Sequence, residues 1–185
     1  VRIEGKKLSK VAAEKNLTVE QLAAAIVRTG LTQDRAQSAI RNWMAGRDHP
    51  RCKAEDITRL AAALGVEAAR IAKFQCVFRY HRGSPRKAAL LAGLIRGKDF
   101  DTARNLLTFN TRRAAVDVNK ALMGAYADAE QANADLGSLV VTESRVDEGP
   151  MMKRFQPKDR GRAHRILKRM SHITVSVEEK SGKAR

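Results

Sequence analysis

Aromatic side chains make up only 4% of this chain, so Ala, Leu, Val and Ile must fill whatever core it forms. Cysteine is scarcer still. Cys52 and Cys76 stand apart with no C-x-x-C pair, which excludes a disulfide framework or a zinc ribbon and fits a reducing compartment. The histidines are scattered, and His49 with Cys52 offers two ligands where a structural zinc takes four, so no metal site is expected. No apolar run approaches the roughly 18 residues of a membrane span. Val1 to Lys7 leads into no apolar h-region, so no secretory signal is expected, and a start at Val suggests trimming or a fragment. No nucleophile–base constellation, metal-ligand cluster or phosphate-cradling glycine loop is evident, and Asp147-Glu148 reads as a charged turn. Neither enzymatic activity nor a cofactor is expected.

What the chain has in excess is positive charge. It carries 36 Lys+Arg against 20 Asp+Glu over 185 residues, a formal net charge of +16. Each cation that neutralises a phosphate releases a condensed counterion, so the charge points to a polyanionic partner, nucleic acid first. A hydrophobic content of 43% is enough for a packed core, and the length predicts one or two domains. The charge is uneven. Residues 1–72 hold 13 basic and 8 acidic side chains, residues 73–185 hold 23 and 12, and residues 151–172 hold eight basic ones with Asp159 as the one acid.

Residues 1–72 read as a small all-α bundle. Thr18 caps a helix with Val19, Leu22, Ala23 and Ile26 at helical spacing, and Gly30 ends it. Thr32 caps a second, with Ala36, Ala39, Ile40 and Trp43 on one face and Gly46 as the stop. A third runs from about Ala54 to Leu64, with Gly65 behind it. The stretches Leu17-Thr18-Val19-Glu20-Gln21-Leu22-Ala23, Ser38-Ala39-Ile40-Arg41-Asn42-Trp43 with Gly46-Arg47, and Leu60 to Val66 resemble Cro/repressor-type helix-turn-helix domains, with a longer turn at Val27 to Leu31. The resemblance implies nucleic-acid contacts from Gln33, Arg35, Gln37, Arg41 and Arg47. Solvated faces of a packing domain are the alternative reading of Arg28, Arg35 and Arg41.

From Lys73 to His81, Phe74, Cys76, Phe78 and Tyr80 alternate with Gln75, Val77, Arg79 and His81, a strand pattern. Ser84-Pro85 opens a helix with Ala88, Leu91, Ala92 and Ile95 inward and Gly97 at its end. A second helix spans Asp101 to about Phe109, and Thr111 caps a third with Val118, Leu122, Ala125 and Ala129 inward, closed by Gly137. The period returns to two from Leu139 and again over Ile173 to Val177. Between those strands, about 147–172, lies a cationic segment with few large apolar groups. Paired as a hairpin, its arms are roughly ten residues each, on the order of 30 Å long. A ribbon with no core is marginal in water and needs counter-charge along its length.

Five blocks in residues 73–179 carry a second resemblance: Ser84-Pro85-Arg86-Lys87; Leu94-Ile95-Arg96-Gly97-Lys98; Val146-Asp147-Glu148-Gly149-Pro150 with Met152-Lys153-Arg154; Gly161-Arg162-Ala163 with Arg165-Ile166-Leu167-Lys168-Arg169; and Ser171-His172-Ile173-Thr174-Val175. They resemble the bacterial large-subunit ribosomal protein twenty-two family. The resemblance implies an α+β fold, three helices on a three-stranded antiparallel sheet with a long protruding β-hairpin, here preceded by the small helical domain. The expected layout is 1–72, 73–179 and a basic tail at 180–185.

It further implies a structural constituent of the large ribosomal subunit, cytoplasmic, that binds large-subunit ribosomal RNA, aids assembly, touches neighbouring ribosomal proteins and lines the nascent-peptide exit tunnel. No membrane contact and no homo-oligomer are implied. Arg82, Arg86, Lys87, Arg96, Lys98, Arg112 and Arg113 would meet phosphates around the body. Lys153, Arg154, Lys158, Arg160, Arg162, Arg165, Lys168 and Arg169 would do so along the hairpin, with Phe155, Gln156, Pro157, Lys158, Asp159, Arg160 and Gly161 forming the tip. Arginine forks suit that role, because they bridge phosphate oxygens and stack on bases. The helical domain is expected to dock on peripheral ribosomal RNA or a neighbouring protein. A DNA-binding regulator with a basic accessory module is the alternative reading of the whole chain.

Overall fold

The first helix, α1 (Gly5–Glu14), starts where no side chain fits. A β-carbon on Gly5 would stand 2.3 Å from the Trp43 carbonyl oxygen and 2.7 Å from that of Met44. The computed structural model that shows this describes residues 1–28 and 31–180 of the chain. The chain divides into two compact units: residues 1–74 with 128–137 and the segment from 178 on, and residues 75–127 with 138–177. The division is therefore not a single cut near residue 72.

In the first unit, α1 is followed by α2 (Val19–Ile26), α3 (Gln33–Met44), α4 (Ala54–Leu64) and the single turn α5 (Ala68–Ile71). Thr18 and Gln21 form a reciprocal box at the start of α2, Gln21 N–H donating to Thr18 Oγ1 at 3.4 Å and Thr18 N–H to Gln21 Oε1 at 2.9 Å. That helix ends at Ile26, well before the expected stop at Gly30, which lies outside the described residues, as does the tail from 181. Thr32 holds the N-cap position of α3 but its side chain makes no capping bond. Gly65, at φ 63°, ends α4 in the left-handed conformation that glycine adopts without strain. Leu8, Leu22, Ile26, Ile40, Trp43, Leu60 and Ile71 fill the core, each large aliphatic side chain contributing about 1.5–3 kcal/mol. A two-residue strand, β1 (Arg2–Ile3), pairs antiparallel with the start of β2 (Ala72–His81), Arg2 opposite Lys73 and Ile3 opposite Ala72. Sequence periodicity gave no sign of β1, α1 or α5.

The second unit holds α6 (Pro85–Ile95), α7 (Phe100–Thr108), most of α8 (Ala114–Gln131), β3 (Leu139–Glu148), β4 (Met152–Pro157), β5 (Ala163–Lys168) and most of β6 (Ser171–Glu179). A short 3-10 turn, Leu136–Ser138, precedes β3. The sheet order is β1-β2-β6-β3, so the expected three strands are joined by β1 as a fourth. Helices pack on it through small residues. A β-carbon on Gly124 of α8 would stand 2.6 Å from Cys76 Sγ of β2. The link between α6 and α7 bonds to β3, Gly97 N–H donating to the Val141 carbonyl at 2.8 Å and Val141 N–H to that of Lys98 at 2.9 Å. Phe100 stacks on Tyr126 with centroids 4.3 Å apart. Leu91, Ile95, Leu107, Val118, Leu122, Val141, Ile173 and Val175 are buried.

Three expectations are corrected here. Helix α8 begins at Ala114, so Thr111 stands too early to cap it, and it ends at Gln131, not at Gly137. The alternation in β2 breaks at Tyr80, which adopts φ 60° and is exposed, so that His81 turns inward. The hairpin arms pair over six residues each, not ten. Pro150 lacks the N–H that a ladder needs, and the ribbon of β4 and β5 is a two-stranded sheet of its own.

Candidate nucleic-acid interface

The end of β2 and the start of α8 are tied together by one buried ring. His81 is 4% exposed, and its Nδ1 lies 2.7 Å from Asp117 Oδ2. A β-carbon on Gly83 would fall 2.3 Å from His81 Nε2, so only glycine lets the following turn close over the imidazole. That closure sets the cations of two distant segments around one opening. Arg82, Lys87, Arg112 and Arg113, with Gly83, Ser84 and Leu90, line a cleft of about 610 Å³. All four are exposed, and none forms an ion pair among the described residues. Of the other body cations proposed from sequence, Arg86 and Lys98 are exposed but do not line this cleft. Arg96 is also exposed as a residue, yet its guanidinium donates to the Ser144 carbonyl, so part of its hydrogen-bonding capacity is used within the unit.

The hairpin leaves the body at a tight root. Gly149 N–H donates to the Met170 carbonyl at 2.9 Å, and a β-carbon there would stand 3.2 Å from His172 Nε2. The Tyr80 N–H donates to His172 Nδ1 at 3.1 Å, and the two rings meet edge to face at 5.0 Å. This bond accompanies the positive φ of Tyr80. From that root the ladder runs Met152 opposite Lys168, Lys153 opposite Leu167, Arg154 opposite Ile166 and Phe155 opposite Arg165. Each of the four pairs sets one cation against one apolar side chain. No cation faces a cation directly, which avoids the destabilisation of like charges across a ladder. Because successive residues point to opposite faces, Lys153 and Arg165 lie on one face and Arg154 and Lys168 on the other.

The reversal itself is made by Lys158 to Arg162. Lys158 N–H donates to the Arg162 carbonyl at 2.6 Å and Arg162 N–H to that of Asp159 at 3.2 Å, with Arg160 at φ 53° and Gly161 at φ 70°. Phe155, Gln156 and Pro157, expected in the tip, belong to the ladder. Phe155 is 75% exposed all the same. Lys153, Arg154, Lys158, Arg160, Arg162, Arg165, Lys168 and Arg169 are all exposed, and none is ion-paired among the described residues.

In the first unit, Gln33, Arg35, Gln37 and Arg41 sit on α3 and Arg47 follows it. All but the half-buried Gln37 are exposed. At 3.6 residues per turn, Gln33, Gln37 and Arg41 share a sector of about 80°, whereas Arg35 stands about 120° from Arg41. Asp34 lies within about 20° of Arg41 on the same stripe. The five residues therefore do not form one cationic face. Deeper in this unit, Arg28 Nη2 meets the fully buried Asp56 Oδ2 at 3.2 Å, and Asp56 also accepts from Lys53 N–H at 3.0 Å. Beside it, burial, reinforced by the negative charges of Asp56 and Asp48, pushes the Cys52 thiol up to about 12. That thiol is protonated and unreactive at neutral pH.

Sequence reasoning missed His81, Gly83 and Asp117, which hold the cleft in shape, and Leu90, Leu94 and Phe109 beside it. Phe109 did leave a signal, an aromatic at a helix end off the stripe set by Ala103 and Leu107.

A small α+β body with an open arginine-lined cleft carries a cationic ribbon charged on both faces and free of ion pairs among the described residues, the surface of a structural protein rather than of a buried pocket. The sequence matches the model of the family described as Ribosomal protein L22p/L17e over residues 76–178, more than half of its length. The chain belongs to that family. Its role is therefore that of a ribosomal structural protein, and the match takes in the cleft, the root and the whole hairpin.

Proposed function

We propose that this chain is built into the large ribosomal subunit, where its second unit binds large-subunit ribosomal RNA, aids assembly and sends its hairpin into the wall of the nascent-peptide exit tunnel. The observation that carries this reading is the ladder between Met152 and Arg165, in which cations project from both faces and no face is given to a protein core. A ribbon that rested on a protein would keep one face apolar. One enclosed by RNA needs charge on both, and guanidinium groups long enough to reach phosphates on either side. The cleft lined by Arg82, Lys87, Arg112 and Arg113 gives the body a second phosphate-binding surface.

The tip, Lys158 to Arg162, carries three cations and Asp159, and faces RNA or the passing peptide. The first unit docks at the subunit surface on peripheral ribosomal RNA or a neighbouring ribosomal protein, through the α3 sector of Gln33, Gln37 and Arg41 with Arg35 and Arg47 to either side. The test is co-sedimentation with large subunits followed by crosslinking from Lys153 and Lys158. Crosslinks to tunnel-wall RNA are expected, and a protein found only in the free pool overturns the reading. A map of the intact subunit with α3 facing solvent overturns the docking of the first unit alone.

A further inference from the structure

Phe109 is 84% exposed at the end of α7, in a chain that has five phenylalanines in all. So exposed a ring adds little to the core. One turn apart on α6, Leu90 and Leu94 are 62% and 41% exposed, and with Phe109 they line a hollow of about 470 Å³ that also takes in Asn110, Thr111 and Arg112. Leu90 and Arg112 line this hollow and the cationic cleft alike, so the two are adjoining parts of one surface. The hollow sets the exposed Phe109 ring and two leucines beside the polar side chains of Asn110 and Thr111, and the cleft adds four cations with no ion pair among the described residues. Asn110 Oδ1 accepts from Arg112 N–H at 3.0 Å, which steadies the turn that joins the two.

We infer that this surface is a receptor for a single unpaired RNA nucleotide, its base seated in the hollow against Phe109 and its phosphate held in the cleft by Arg112, Arg113 and Lys87. The inference rests on the reading that the second unit binds RNA, and it adds what that reading does not contain, a place where one base is taken out of a helix. Three observations select a nucleotide. The size of the hollow falls in the range of small-ligand sites. Unstacked bases are held in proteins by aromatic rings and guanidinium planes, both present here. The adjoining cations match the charge that a nucleotide carries next to its base, whereas an apolar protein segment seated on Leu90 and Leu94 would leave the cleft unanswered.

The test uses the full chain and two RNA hairpins, one with a single bulged 2-aminopurine and one fully paired. Wild type is expected to bind the bulged hairpin about tenfold more tightly, the lower end of what stacking one base contributes, and to quench the probe. Phe109→Ala loses both the preference and the quenching while its affinity for the paired hairpin and its salt dependence stay as in wild type. Phe109→Trp keeps both. A wild-type protein with no preference, or a Phe109→Ala variant that retains it, overturns the inference and leaves the RNA-binding reading standing. Failure to bind either hairpin overturns both. A photocrosslinking amino acid at position 109, in assembled subunits, is expected to reach an unpaired base, and a crosslink to a protein overturns the inference.

Discussion

Excising the hairpin separates the RNA contact proposed for it from what it contributes to the fold. The cut is set by the root, where the bond from Gly149 N–H to the Met170 carbonyl closes β3 against β6. Replacing residues 150–169 with an Asn-Gly turn keeps that bond. The removed ribbon has six residues per arm, about 20 Å at the rise of a strand, and its side chains are exposed or half-buried. The body should therefore melt within about 2 °C of wild type, the range of surface changes. Eight cations go with the ribbon. At about 0.7–0.9 units of log–log salt slope per neutralised phosphate, they set a ceiling of roughly 6–7 on its share of the slope. The assay is fluorescence anisotropy of a large-subunit ribosomal RNA transcript from about 50 to 300 mM salt, a range over which binding of this kind changes by orders of magnitude. The slope should flatten by about 4–6, with the remainder coming from the body. A loss of less than about 1 would refute the assignment of the ribbon to phosphate contact, and a collapse of the melting temperature would mean that it braces the body.

Three further perturbations bear on the first unit. Gly5→Ala drives a β-carbon into two backbone carbonyls that cannot rotate away, so it should cost about 1–3 kcal/mol, read as a lower melting temperature with Gly5→Ser at least as low. Arg28→Met leaves the Asp56 carboxylate buried with the Lys53 N–H as its remaining partner. It should cost about 3 kcal/mol in urea unfolding, and the double variant Arg28→Met with Asp56→Leu should recover part of that loss. The Cys52 pKa is raised from 9.0 to about 12, so its stabilising share is complete below about pH 9 and is lost as pH rises towards 12, with a slope of at most about 1.4 kcal/mol per pH unit. The difference in stability between wild type and Cys52→Ala should shift across that window only, and iodoacetamide should leave Cys52 unmodified in the folded protein at neutral pH.

Much of the fold was legible because local signals and packing agree. Thr18 with Gln21, Gly65 behind Leu64, and Ser84-Pro85 before Ala88 each mark an end where the chain does turn. The helix stripes at Leu22, Ile40, Leu60 and Leu122 point inward as their spacing requires. The misses have a common cause. Tyr80 reads as one more alternating strand residue, but its conformation accompanies a bond to His172, 92 residues away. Thr32 and Thr111 have the chemistry of caps, yet one makes no bond and the other stands too early. Arg82 and Arg112 look like isolated surface cations until the His81–Asp117 bond brings their segments to one cleft. A single sequence carries no record of such pairings.

Charge counting placed the functional weight in the second unit, and the ion pairs explain why the count understates the difference. In the first unit, Arg2 meets Asp48, Arg28 meets Asp56, Arg70 meets Glu14 and Lys7 meets Glu178, at 3.0–3.5 Å. Those cations are already answered within the protein. In the second unit, the cations of the cleft and the ribbon have no such partners among the described residues, so their field is available to a polyanion in full. Around α3 itself the first unit leaves Arg35, Arg41 and Arg47 without an ion pair among the described residues, spread about the helix with Asp34 among them. A surface of that kind suits a local, shape-limited contact better than a track along a phosphate backbone, since binding along a track needs cations that face the same way. On the function proposed above, the two units would therefore divide the work unequally: the second would supply the salt-sensitive affinity, and the first would add position.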